Sequence, residues 1–109
     1  MAADTWKKFE GTMTTASVTL QDSGTNYAPA SGRIFNIQGF HIYNGDTSDR
    51  YGKLTIGSTL LSGLKPIPTY DTRIISDLNE KLLAGETMSV QGEVGSLITY
   101  RIWGVEVDA

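Results

Sequence analysis

The segment RIFNIQGFHIYN, residues 33–44, constrains the fold of this chain more than any other. Phe35 and Ile37 share one face of an extended strand, Phe40 and Ile42 share the opposite parity, and Gly39 stands between the two pairs. Side chains alternate across a strand with a period of two, so a simple strand would send one of these pairs into solvent. A β-bulge at Gly39 inserts one extra residue and returns both pairs to the same face. The segment therefore predicts a single bulged strand.

The same period recurs along the chain, and a helical period does not. Ala16, Val18 and Leu20 share a face of residues 14–20, which predicts a half-buried strand rich in β-branched residues. Leu54 and Ile56 point inward in YGKLTIG, and Met88 and Val90 do so in TMSV. STLLSGLKPIPTY reads as a strand and an extended connection held open by Pro66 and Pro68, and DTRIIS as a further strand. In LITYRIWGVEV, Ile98, Tyr100 and Ile102 share a face; Gly104 is expected to break parity so that Val105 and Val107 continue it. DLNEKLLAGE is too short for a stable helix before Gly85 stops it, so an extended connection and a turn are expected. QDSGTN, NGDTSD and QGEVGS are turns. The pattern gives about seven or eight short strands: an all-β, antiparallel β-sandwich or jelly roll. Residues 13–109 form its single domain, and residues 1–12 an N-terminal arm.

Composition removes several function classes. The chain of 109 residues has no cysteine, which excludes disulfides, zinc–thiolate sites and thiol nucleophiles. Its net charge is −3 and its only basic pair is Lys7-Lys8, so nucleic acid is not expected as a partner. No stretch approaches the roughly 20 apolar residues of a membrane span, and Met1-Ala2-Ala3-Asp4 lacks the start of a secretion signal. His41 lies mid-strand with no sequence partner for base catalysis. Asp46 and Asp49 do not have the spacing of a helix–loop–helix calcium site. Glu80, Glu86, Glu93 and Glu106 read as solvated carboxylates, and Ser62 and Ser96 sit in no nucleophile context. No catalytic residue, cofactor or metal is expected, and the protein is not expected to be an enzyme. The aromatics remain. Trp6 and Phe9 lie in a terminal segment expected outside the core, and Trp103 has the outward parity. Together with the turn bearing Asp46, Asp49 and Tyr51, they are the candidate partner contacts.

Four segments occur in a telling order over about residues 26–107: NYAPASGRIFNIQGFHIYNGD, GKLTIGSTLL, YDTRIISDLNEKLLAGETMSV and GSLITYRIWGVEV. With its Leu-x-Ala-Gly-Glu turn and its Gly-Val-Glu-Val end, this order resembles a group of small tailed-bacteriophage virion proteins. The resemblance implies a structural protein of the virion, assembled in the host cytoplasm. Its first implication is a capsid decoration (cement) protein that binds and stabilises the lattice of the major capsid protein, as a homo-oligomer, dimer or trimer. A tail or neck accessory protein that binds another virion protein is the alternative within the group. MAADTWKKFEGTMTTASVTL departs from the group's pattern and would be a docking arm. A reading from a different class is a carbohydrate-binding module for host recognition, which needs several aromatics on one open face.

Overall fold

Residues 3–109 are described by a computed structural model. Period-two alternation yields strands from end to end. They are β1 (Thr5–Thr12), β2 (Val18–Thr19), β3 (Gln21–Asp22), β4 (Thr25–Asn26), β5 (Arg33–Asn44), β6 (Gly52–Ile56), β7 (Thr59–Ser62), β8 (Thr72–Ile75), β9 (Glu80–Leu82), β10 (Met88–Gly92) and β11 (Ile98–Asp108). The strands beyond those expected are β1, in the supposed arm, the two-residue pieces β3 and β4, and β9, in the segment expected to be an extended connection.

All pairings between these strands are antiparallel. The first sheet runs β1-β11-β5-β8, with β9 pairing β5 beyond β8. The second runs β2-β10-β6-β7, and β3 with β4 makes a small ribbon. Phe35, Ile37, Phe40, Ile42, Ile98 and Ile102 of the first sheet pack with Leu54, Ile56, Met88 and Val90 of the second in one buried cluster. The protein is thus an antiparallel β-sandwich.

The bulge lies where the sequence predicts it. Trp103 opposes Gly39 while Gly104 opposes Ile37, so Gln38 is the extra residue on β5. Two glycines make the crossing possible. A Cβ on Gly39 would meet the Trp103 ring and, at 2.6 Å, the Ile75 carbonyl. A Cβ on Gly104 would run into the Asn36 carbonyl and come within 3.0 Å of the Phe35 ring.

Three expectations need correction. First, β11 keeps its parity through Gly104, because the extra residue sits on the opposite strand; Glu106 turns inward, where it accepts from the Tyr27 hydroxyl, and Val105 lies on the outer face. Second, residues 14–17 form no strand and are exposed: Thr14 bonds back to the Ala16 carbonyl in a local turn. Third, the supposed arm is part of the sandwich. β1 pairs with β11 over its whole length, from Thr5↔Glu106 to Thr12↔Thr99, and Phe9 is buried. Met1 and Ala2 of that segment lie outside the described residues.

The bulge geometry is testable by cavity-free overpacking. Gly104→Ala is expected to cost about 1–3 kcal/mol. Gly95→Ala, where a Cβ would meet only open space, should stay within about 0.5 kcal/mol. Urea midpoints at unchanged m-value measure both.

Candidate docking surface

β1, β11, β5 and β8 present one face to the core and the other outward. Strand parity assigns Trp6, Lys8 and Glu10 of β1, Arg101, Trp103 and Val105 of β11, His41 of β5 and Ile74 of β8 to the outer face. The registers align them in rows. Trp6 opposes Val105, which opposes Asn36. Lys8 opposes Trp103, which opposes Gly39. Glu10 opposes Arg101, then His41, then Ile74. Trp6 and Ile74 are 69% and 63% exposed, at the two ends of an apolar diagonal whose middle lies lower: Val105 is buried and Trp103 and His41 are half-buried. Trp103 lies flat enough on Gly39 to fill the space a Cβ would need, and its ring stands 6.3 Å from that of His41. Burial, and then the positive charge of Arg101, hold the His41 pKa below its ordinary value of 6.5, so the imidazole is neutral at pH 7 and belongs to this surface as an uncharged ring.

The predicted contact residues divide into three groups. Trp6 and Trp103 share the outer face. Phe9 belongs to the core: its ring lies 5.0 Å from Tyr27 and 5.8 Å, edge-on, from Phe35. It is therefore removed from the contact set. Asp46, Asp49 and Tyr51 lie at the β5–β6 connection and are engaged internally. Asp46 Oδ2 accepts from Arg50 Nε at 2.7 Å, and Asp46 Oδ1 from the Thr47 amide at 2.7 Å. Arg50 reaches on to Glu93, whose other oxygen accepts from the Tyr51 amide. Asp49 accepts from the Thr69 amide. These carboxylates stitch three loops together. Among the described residues, no three His, Cys, Asp or Glu side chains converge on a point where a metal ion would sit.

Two polar anchors carried no sequence signal. Asn44 is fully buried at the end of β5: its amide nitrogen donates to the Ser48 and Ile67 carbonyls, and its Oδ1 accepts from the Asp46 amide. Arg33 binds Glu106 and Asp108 at 3.3 and 2.7 Å, while Tyr27 donates to Glu106 at 2.6 Å. These partners lie more than seventy residues apart in sequence, so only the fold brings them together. A polar groove of about 440 Å³ opens opposite the bulge, between β8 and β9, lined by Asn36, Gln38, Ser76, Asp77 and Asn79. Asn36 Oδ1 is buried and, among the described residues, has no hydrogen-bond partner.

No protein-family model matches the chain, and no curated protein matches it.

Two measurements check this division. Phe9→Ala should cost about 3–5 kcal/mol, while Trp6→Ala should stay near neutral in unfolding experiments. Second, the hydrogen bond from Arg50, and then that from the Thr47 amide, lower the Asp46 pKa from its ordinary 3.8. A depressed native pKa contributes stability above pH 3.8 that is lost as the pH falls through the native value. Asp46→Asn should thus lower the unfolding midpoint at pH 7, and the difference from the parent should shrink toward zero only as the pH falls below 3.8.

Proposed function

We propose that the protein is a non-enzymatic structural component of a tailed-phage virion that docks on the capsid lattice through the outer face of its first sheet. The observation that carries this reading is the apolar diagonal from Trp6 to Ile74. A tryptophan and a large aliphatic left open on one face of a small sandwich are anchors around which protein interfaces form. The resemblance of residues 26–107 to small virion proteins specifies the kind of partner: the major capsid protein for a decoration protein, another virion protein for a tail or neck accessory. The acidic turn supports the same division of labour. Its carboxylates are held by Arg50 and by backbone amides, so they serve the fold. A modest interface repeated over many copies adds stability to a lattice by mass action.

A second reading, glycan binding in host recognition, is favoured by one feature. Trp103 covers Gly39, and the polar groove at Asn36 and Gln38 opens beside that same residue of β5. An aromatic plate next to amide groups suits a sugar ring.

Co-sedimentation with particles of the phage that encodes the chain tests the proposal. The parent protein should pellet with them. The Trp6→Ser, Ile74→Ser variant should bind at least about tenfold more weakly with an unchanged urea midpoint, a loss equivalent to about 1.4 kcal/mol. Gold labelling on the head shell supports the decoration reading, and labelling at neck or tail the accessory one. A protein that ignores virions but binds glycans overturns both in favour of the second reading.

A further inference from the structure

β1 is an open edge of the first sheet. Edge strands are templates for pairing, and soluble proteins blunt them by keeping them short or by using proline, bulges or charged side chains, lysine above all. The other edges here follow that rule. β2 has two residues, β9 three, and β7 and β8 four each. β1 has eight residues, no proline and an unbroken register against β11. Of its two lysines, Lys7 is drawn to Asp22 at 2.7 Å, while Lys8 stands 3.5 Å from Glu10 of the same strand, so the exposed edge carries both signs of charge and repels a partner only in the registers that oppose like charges.

The hydrogen-bonding parity of this edge is fixed. Thr12 opposes Thr99, and the next amide, Met13 N, donates to the Ile98 carbonyl at 2.7 Å. In an antiparallel ladder, alternate residues bond to the same neighbour, so the odd residues of β1 bond to β11. The backbone N–H and C=O groups of Trp6, Lys8, Glu10 and Thr12 therefore point to the open side.

Self-pairing must match these even residues with even residues, which places the two-fold axis on a residue of β1. An axis on Lys8 sets Lys8 against its own copy. An axis on Glu10 sets Glu10 against its own copy. An axis on Phe9 sets Lys8 against Glu10 and Trp6 against Thr12, each pair occurring twice by symmetry. Of these three registers it alone puts opposite charges face to face, and it keeps Phe9 of both copies on the core side.

We propose that two copies of this chain join antiparallel through β1, about a two-fold axis at Phe9, so that their five-stranded sheets continue as one. The occupant of the edge is a second copy because the charge sequence Lys8-Phe9-Glu10 is its own complement when reversed. This inference stands independently of what the outer face binds.

The test is a charge-swap mixing experiment read by sedimentation equilibrium. The parent should be a dimer. Lys8→Glu alone faces Glu10 with a second acid, and Glu10→Lys alone faces Lys8 with a second base. Each should raise the dissociation constant about tenfold or more. An equimolar mixture restores both pairs and should return to dimer at parent affinity. A complementary readout uses the absence of cysteine. Oxidation should link the Trp6→Cys, Thr12→Cys double variant into a covalent dimer, and neither single variant. A parent that is monomeric up to about 1 mM, a dimer indifferent to both charge changes, or folded single variants that fail to pair when mixed would each overturn the proposal. None of these outcomes depends on virion binding, so the two proposals fail separately.

Discussion

The ladder between β5 and β11 is the constraint on which the rest of the sandwich depends. It joins the two longest strands, from Ile98↔Asn44 to Asp108↔Arg33, and β11 carries β1 on its other side. A strand pair this long accumulates twist, and a bulge is where such a pair bends. The extra residue at Gln38 lets Phe35 and Ile37 share a core with Phe40 and Ile42. It also turns Asn36 and the Trp103 row outward. The surface thus follows from the same irregularity that fills the core. Gly39 and Gly104 flank the bulge because no side chain fits on either strand there.

The ends of this ladder are closed by polar groups rather than by apolar packing. At one end Asn44 satisfies two loop carbonyls and one amide at once. At the other, Arg33 bridges the start of β5 and the end of β11 through Glu106 and Asp108. Buried polar groups are tolerated when fully bonded, and they specify one register where apolar contacts alone would permit a slip. A cysteine-free chain of this size has no covalent staple to do so.

Much of the fold is legible in sequence because period-two alternation survives wherever one face is buried. β5, β6 and β10 have the inward residues their alternation predicts, and the bulge is visible from the parity switch between Ile37 and Phe40 with Gly39 between them. The failures have physical causes. In WKKFE, Phe9 points inward and Trp6 outward, so the two large apolar residues do not share a parity, and Lys7 takes an inward position. Lys7 is tolerated there because Asp22 neutralises it and its ammonium stands 5.2 Å from the centre of the Tyr27 ring. A strand with a lysine on its core side and a tryptophan on its solvent side looks like a solvated arm. Val105 misleads in the opposite sense: an apolar residue on an outer face carries the same letter as one in the core. Asp46 and Asp49 are legible as turn formers, but their arginine and amide partners come from the fold.

Trp6 is where face and edge meet. Its side chain begins the apolar diagonal, and its backbone amide and carbonyl point to the open side of β1. A dimer joined at β1 carries two copies of the diagonal on one continuous outer face, related by the two-fold at Phe9. Such a surface would engage a repeating lattice at two points, and the second contact would form at the high effective concentration set by the first. Weak individual contacts would then suffice for stable attachment, even from a face of a few large side chains bordered by the Glu10–Arg101 ion pair. The Lys8–Glu10 pairs at the seam contribute mainly orientation, since exposed ion pairs add little energy but strongly penalise the wrong register. On this reading the charges of β1 choose the partner strand and its direction, and the tryptophans and Ile74 supply the attraction to whatever lies across the face.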